Sequence, residues 1–372
     1  MKVQITNGMF MALIINMLYA KSIGLTQGVI AREVGGDMWL STIFASMQGL
    51  VVMALVVIVI KRMPEGDLID QFHQIFGKWI GKGAAFLVFI FFIGAYGSIM
   101  ATFVYHLKDY FLPEAPLVLF IAGAFLIGAY ALFFGIEVVA RMALIDIFSI
   151  IGLNILLMIG SLGKFDIREL LPTFQSGVVK TVWASRHHNT DWAMATMMAA
   201  IILPIVKEKK TWIKSGTAGI CYSAIIIIMW PILETGVLSP EVAAQYIISC
   251  MQMARSAEIG LFIHRYEMIM IALFALSILT QIMMTFLCSS IAMQKMLGLK
   301  DYRPAIIPSG LILSGFSYWM VKNHHRAMHI IEGIWVPVSL GIAVGLPALL
   351  LISGFFFKKK LKMKKNNANV QG

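Results

Sequence analysis

Charge is scarce in this chain. Of its 372 residues, 13% are charged and 59% are hydrophobic, and the mean hydropathy is +0.83. A soluble domain carries about 25% charged residues, so the composition excludes a soluble globular protein and indicates a polytopic membrane protein. The formal net charge of +11 would suggest nucleic acid in a soluble chain. Here the basic residues fall between apolar runs, and membrane topology accounts for them without nucleic acid. Cysteine is scarce too. Cys221, Cys250 and Cys288 have no CxxC spacing and read as buried free thiols, which excludes a disulfide framework. There is no glycine-rich phosphate loop, nucleophile elbow or pair of catalytic carboxylates, and nothing reads as an enzyme. His187/His188 and His324/His325 are neighbours that point apart on a helix, so no metal site is expected. No cleavable leader is evident: the first apolar segment lacks a small-residue cleavage site.

The apolar material resolves into ten expected spans: Thr6–Arg32, Met38–Ile60, Ala84–Leu107, Pro116 to Ile136, Val139 to Leu162, Trp192–Val206, Ile213–Val237, Ile259 to Met296, Pro304–Val321 and Ile334–Phe357. The distribution of Lys and Arg puts both termini in the cytoplasm. The tail 358–372 opens on a run of lysines that suits anionic lipid. Two connectors, Gly66–Gly83 and Pro240–Ala257, carry apolar residues at helical spacing and either lie on the membrane or brace the bundle.

The first span is interrupted. Leu18–Ile30 sets Lys21, Ser22, Gly24 and Gly28 into an apolar run. The piece before it, Met9–Ala20, is shorter than the roughly 20 residues a bilayer crossing takes. A broken membrane helix frees backbone polar groups, which is tolerated only where the break is buried in protein or lines a polar cavity. The sixth span also opens on a polar run, Ser185–Asp191. The chain thus divides into a first repeat over about 5–162 and a second over about 177–357. With five spans each, the halves run in opposite senses, the inverted-repeat plan of many transporters. The expected fold is therefore all-α, with ten transmembrane helices in a 5+5 inverted repeat and helices 1 and 6 broken. It forms a single permease-like domain.

Polar residues inside spans nominate a site. A lysine at helix centre costs roughly 2.5–3.5 kcal/mol on insertion scales, so Lys21 either pairs with a carboxylate as a strut or recognises a ligand. Arg141 is one helical turn from each of Glu137 and Asp146, and the three read as a local ion-pair cluster. Arg265 and Glu267 mark a structural knot or an outer gate, with Lys21 or Asp191 as candidate partners. Glu234 reads as interfacial. Tyr96 and Gly97 offer either helix packing or a hydroxyl facing a cavity, and Ser277, Thr280 and Gln281 form a polar stripe. The candidate ligand-binding set is Lys21, Ile23, Gly24, Tyr96, Gly97, Asp191, Trp192 and Thr280, between the two breaks.

Several segments are similar to a known family. Ala31-Arg32-Glu33-Val34-Gly35-Gly36-Asp37-Met38-Trp39-Leu40 resembles the segment after the first span in the B subunits of bacterial spore germinant receptors, the GerAB-type permeases. Phe76-Gly77-Lys78-Trp79-Ile80-Gly81-Lys82 resembles that family's GKWxGK segment, and Leu170-Leu171-Pro172-Thr173-Phe174 its LLPxF segment. Leu203-Pro204-Ile205-Val206 ends span six as in the family, and Ile259–Glu267 resembles the charged motif opening span eight, although it reads His264-Arg265-Tyr266-Glu267 where the family often has ERxE-like text. The resemblance implies an amino acid/polyamine/organocation-type permease in the spore inner membrane. It implies partner A and C (lipoprotein) subunits, a nutrient germinant as ligand, ion release on sensing, and no cofactor. The alternative function is a secondary amino-acid transporter, possibly proton-coupled.

Overall fold

The computed structural model describes residues 4–258 and 266–356. Helix α1 (Asn7–Lys21) is capped by Thr6, whose hydroxyl accepts from the Met9 N–H. A wide turn, Ser22–Thr26, separates it from α2 (Gln27–Val34). After Gly35, which takes φ +53, and the tight turn Gly35–Asp37, α3 runs over Met38–Ile60. The short α4 (Leu68–Phe76) carries a reciprocal capping box between Asp67 and Asp70. Next come α5 (Lys78–Lys108), α6 (Leu117–Phe134) and α7 (Ile136–Ser161). The second half holds α8 (Val178–Ala184), α9 (Arg186–Ile202), α10 (Trp212–Leu238), α11 (Pro240–Ala243), α12 (Ser249–Ser256), α13 (Glu267–Leu297), α14 (Arg303–Val321), α15 (His324–His329) and α16 (Trp335–Phe356). Among the described residues the one β feature is an isolated parallel bridge between Ile5 and Val206. It pins the start of the chain to the end of α9; this is called the proximal end below, and the opposite end distal.

Among the described residues, eight helical stretches are long and apolar enough to cross a membrane, against the ten spans expected. Two features account for the difference. The first stretch, Asn7–Ile60, runs through 54 residues and contains both of the first two expected spans. At about 1.5 Å per residue it would far exceed the roughly 30 Å hydrocarbon core if straight, and Gly35 turns it. Helix α9 has 17 residues, and its first turns carry Arg186, His187, His188, Asn189 and Asp191, which shortens its apolar length. The break expected in span six is correspondingly slight: the single turn residue Ser185 separates α8 from α9, and α9 is continuous through Asp191.

Packing comes in exchangeable pairs. Helix α1 packs on α10 and α7, while α9 packs on α3 and α16. Helices α5 and α13 pack on each other, with α14 against α5 and α6 against α13. Connector Gly66–Gly83 braces the bundle. Leu68, Ile69, Phe72 and Ile75 of α4 are buried against α5, whereas Trp79 and Ile80 stand exposed on α5 itself.

Candidate functional site

The interruption in the first span is a real break and is fully enclosed. Gly24 takes φ −86, ψ −106 inside Ser22–Thr26, and every residue of that turn is buried. Its lack of a side chain is a packing requirement. A Cβ there would lie 2.8 Å from His106 Cε1 and 2.9 Å from Thr102 Cγ2, both on α5. One turn on, a Cβ at Gly28 would meet the Ile247 and Tyr246 carbonyl oxygens at 2.5 and 2.8 Å. The two glycines thus let α5 and the 246–247 backbone close directly over the break.

Lys21 spans this break to the second half. Its Nζ donates to Asp191 Oδ1 at 2.5 Å and to Thr26 Oγ1 at 3.1 Å. Ser22 Oγ donates to Asp191 Oδ2 at 3.0 Å, and His188 Nδ1 lies 3.3 Å from the same oxygen. Lys21 and Asp191 are 1% and 0% exposed. Buried in this way, the pair neutralises two charges that neither helix could hold alone. Of the partners the sequence left open, the structure selects Asp191.

On the other side of the break lies a polar patch that the sequence did not single out. His106 stacks on Phe274, donates its Nδ1–H to Thr102 O at 2.7 Å, and approaches Cys250 Sγ at 3.6 Å. Ser249 Oγ donates to Glu234 Oε2 at 2.5 Å. Glu234 is not interfacial but wholly buried, and its Oε1 has no partner among the described residues. Gln27, the first residue of α2, is also wholly buried, and neither of its amide atoms has a partner among the described residues. Helices α10 and α12 both pack against the Ser22–Thr26 turn. The sequence signal was slight: a lone glutamate near a helix end, and a glutamine just past the break.

The remaining predicted residues go elsewhere. Tyr96 is buried edge-on to Phe286, and Gly97 packs against Phe316 and Met320, so both serve helix packing on α5. Trp192 packs on Gly49 of α3 and lines a small cavity of about 140 Å³. Thr280 Oγ1 donates to Asp146 Oδ2 at 2.5 Å. This corrects the expected Glu137–Arg141–Asp146 cluster. Arg141 is exposed and makes no ion pair among the described residues, because Asp146 turns inward toward α13 while Arg141 turns out. Glu267 lies 3.9 Å from Arg255 and is paired with neither Lys21 nor Asp191. Arg265 lies outside the described residues.

Ion pairs close the distal end. Arg32 bonds Glu332 at 2.8 Å, Arg186 bonds Glu33 at 2.7 Å, and His187 Nε2 lies 3.0 Å from Glu33. They line a cavity of about 410 Å³. The proximal end holds a larger one, about 590 Å³, lined by Glu65, Asp67, Asp70, Glu137, Asp301 and Arg303 among apolar groups. Lys295 binds Asp67 and Asp70 at 2.5 and 2.8 Å. Burial raises the Asp67 carboxyl above the ordinary carboxylate value; Lys295 opposes this and Asp70 adds to it. The proximal cavity and the distal ion pairs thus lie at opposite ends of the bundle, with the break between them.

The profile of the family described as spore germination protein, a spore permease, matches residues 4–325. The chain is 24% identical over 354 residues to spore germination protein YndE of Bacillus subtilis (strain 168), covering 94% of this chain and 96% of that one. It is 27% identical over 295 residues to spore germination protein GerQB of Bacillus cereus, covering 77% and 79%. Among solved structures it is similar to a Na⁺-coupled sialic acid symporter in a substrate-bound outward-open state, with TM-score 0.61 at 14% identity over 90% of this chain and 77% of that one. It is equally similar to MhsT in complex with L-phenylalanine, with TM-score 0.61 at 13% identity over 93% and 98%. These neighbours share the LeuT transporter fold.

Proposed function

Because the chain belongs to the spore germination protein family, we propose that it is the membrane subunit of a germinant receptor that senses a small nutrient, probed most simply as an amino acid. The observation that carries this reading is the enclosed break at Gly24, walled by buried polar atoms with unmet hydrogen bonds at Gln27 and Glu234. An ammonium group meets the free Glu234 oxygen. A carboxylate meets the start of α2, whose positive dipole end faces the break. Lys21 and Asp191 stay paired and hold the two halves in register. Binding biases a rocking of the repeats, about 5–162 against about 177–357, and A and C subunits relay it to ion release. The exchangeable packing of α1 with α9 and of α3 with α10 supports two repeats of opposite sense. Both termini face the cytoplasm of the spore inner membrane.

The test is a nutrient screen on spores with and without the gene, paired with thermal unfolding of the purified chain in each nutrient. A nutrient that both requires the gene and raises the unfolding temperature, with the rise lost in Glu234→Gln, supports the reading. Spores lacking the gene that answer every nutrient as before count against it. The transporter fold of the structural neighbours supports a second reading, a secondary amino-acid transporter. Saturable, concentrative uptake by vesicles containing this chain alone favours that reading over sensing.

A further inference from the structure

A second buried polar cluster lies where α1, α7 and α13 meet, and its hydrogen bonding is lopsided. Asn16 Nδ2 donates to Ala12 O and Ala143 O at 3.0 and 2.9 Å. Gln281 Nε2 donates to Asn16 O and Met17 O at 2.9 and 3.0 Å. Each amide has two N–H groups, so all of them are spent. The Thr280 hydroxyl is spent on Asp146 Oδ2. What remains is acceptors: Asn16 Oδ1 and Gln281 Oε1 have no partner among the described residues, and Asp146 has none besides Thr280. Asn16, Thr280 and Gln281 are wholly buried, and Asp146 is 2% exposed.

Among the described residues no cation balances the carboxyl. Lys21 of α1 is held by Asp191, Lys295 of α13 by Asp67 and Asp70, and Arg255 of α12 lies at Glu267. Arg141 on α7 itself is exposed. Glu234 of α10 is a further acid, bonded to Ser249. An ionised carboxylate whose described partner is a single hydroxyl is strongly disfavoured in a membrane interior.

We propose that this junction is a proton-binding site, with Asp146 as the proton carrier. The proton, taken from water, sits on the Asp146 oxygen not bonded to Thr280, and that O–H donates to one of the two orphaned amide oxygens. Loss of the proton leaves a negative charge facing acceptors where α1 and α13 pack on α7. That weakens the seating of α1, the helix that leads into the break. Proton occupancy and the position of the break are therefore coupled, whichever nutrient the break takes.

The test is infrared difference spectroscopy of the purified full chain in lipid on raising the pH. The carbonyl band of a protonated buried carboxylic acid should disappear as pH rises. That band should be absent from Asp146→Asn, which keeps the shape of the neutral acid, and present in Glu234→Gln. Thr280→Val removes a donor to the ionised form and should raise the titration point by about one pH unit. A spectrum of Asp146→Asn identical to that of the parent overturns the proposal. So does a carboxylate band at all pH values that shifts with added sodium or potassium, which assigns the junction to an alkali ion.

Discussion

Breaking the Lys21–Asp191 pair from each side in turn should give unequal losses. Removing one partner of a buried ion pair leaves an uncompensated charge and costs about 3–5 kcal/mol. The surroundings set where in that range each variant falls. In Lys21→Met, Asp191 keeps the Ser22 hydroxyl at 3.0 Å and His188 at 3.3 Å, so the loss sits near the lower limit, about 3 kcal/mol. In Asp191→Asn, Lys21 keeps its full charge, with the Thr26 hydroxyl at 3.1 Å and a neutral amide for company. That loss sits near the upper limit, about 5 kcal/mol. The double variant Lys21→Met/Asp191→Leu removes both charges, and such replacements are often neutral or stabilising. The assay is thermal unfolding of the purified chain by size-exclusion fluorescence. At roughly 2 °C per kcal/mol for a large chain, the single variants should lose roughly 6 and 10 °C, and the double variant most of neither. A double variant as unstable as the worse single, or a larger loss for Lys21→Met than for Asp191→Asn, refutes the strut. A stable double variant that loses all nutrient response reassigns the pair to the ligand.

Other expectations follow from the same geometry. Gly24→Ala places a methyl within 2.9 Å of both His106 and Thr102; it should lower the unfolding temperature and abolish nutrient-induced stabilisation, and adding Thr102→Ser, which removes the Thr102 methyl, should restore part of both. Arg32→Ala removes a half-exposed pair worth at most about 1 kcal/mol, so the unfolding temperature should barely move. Thiol labelling of a cysteine placed at Val29, on the wall of the distal cavity, should nevertheless speed up, and unchanged labelling counts against a role for Arg32–Glu332 in closing that end. Lys295→Met leaves Asp67 and Asp70 facing each other and should release α4 from the bundle, seen as faster proteolysis after residues 61–62 at unchanged oligomeric state.

Much of this was legible in the sequence because it is local. The interruption at Lys21–Gly24 stands out as polar residues and glycines in an apolar run, and the structure turns there. The connector Gly66–Gly83 shows its helix through spacing, and Asp67 with Asp70 caps it. The charged start of α9 shortens its apolar length in the sequence as in the fold. Less was legible about facing. Arg141 and Asp146 share a helix within little more than a turn, which suggested a pair, but the helix buries one and exposes the other. For Tyr96 and Gly97 the sequence left helix packing and a cavity-facing hydroxyl open, and both pack, against Phe286, Phe316 and Met320.

By itself the sequence determines a membrane-embedded helical chain of this family with a broken first span, since hydropathy, breakers and short motifs are properties of neighbouring residues. The tertiary structure alone decides which polar groups meet. Lys21 finds Asp191 at a separation of 170 residues, and Asp146 finds Thr280 at 134. A helix apolar around its whole circumference carries no stripe to orient it. Its rotation is set by the helices it packs against, and so is the choice of which buried charge is paired and which must take up a proton.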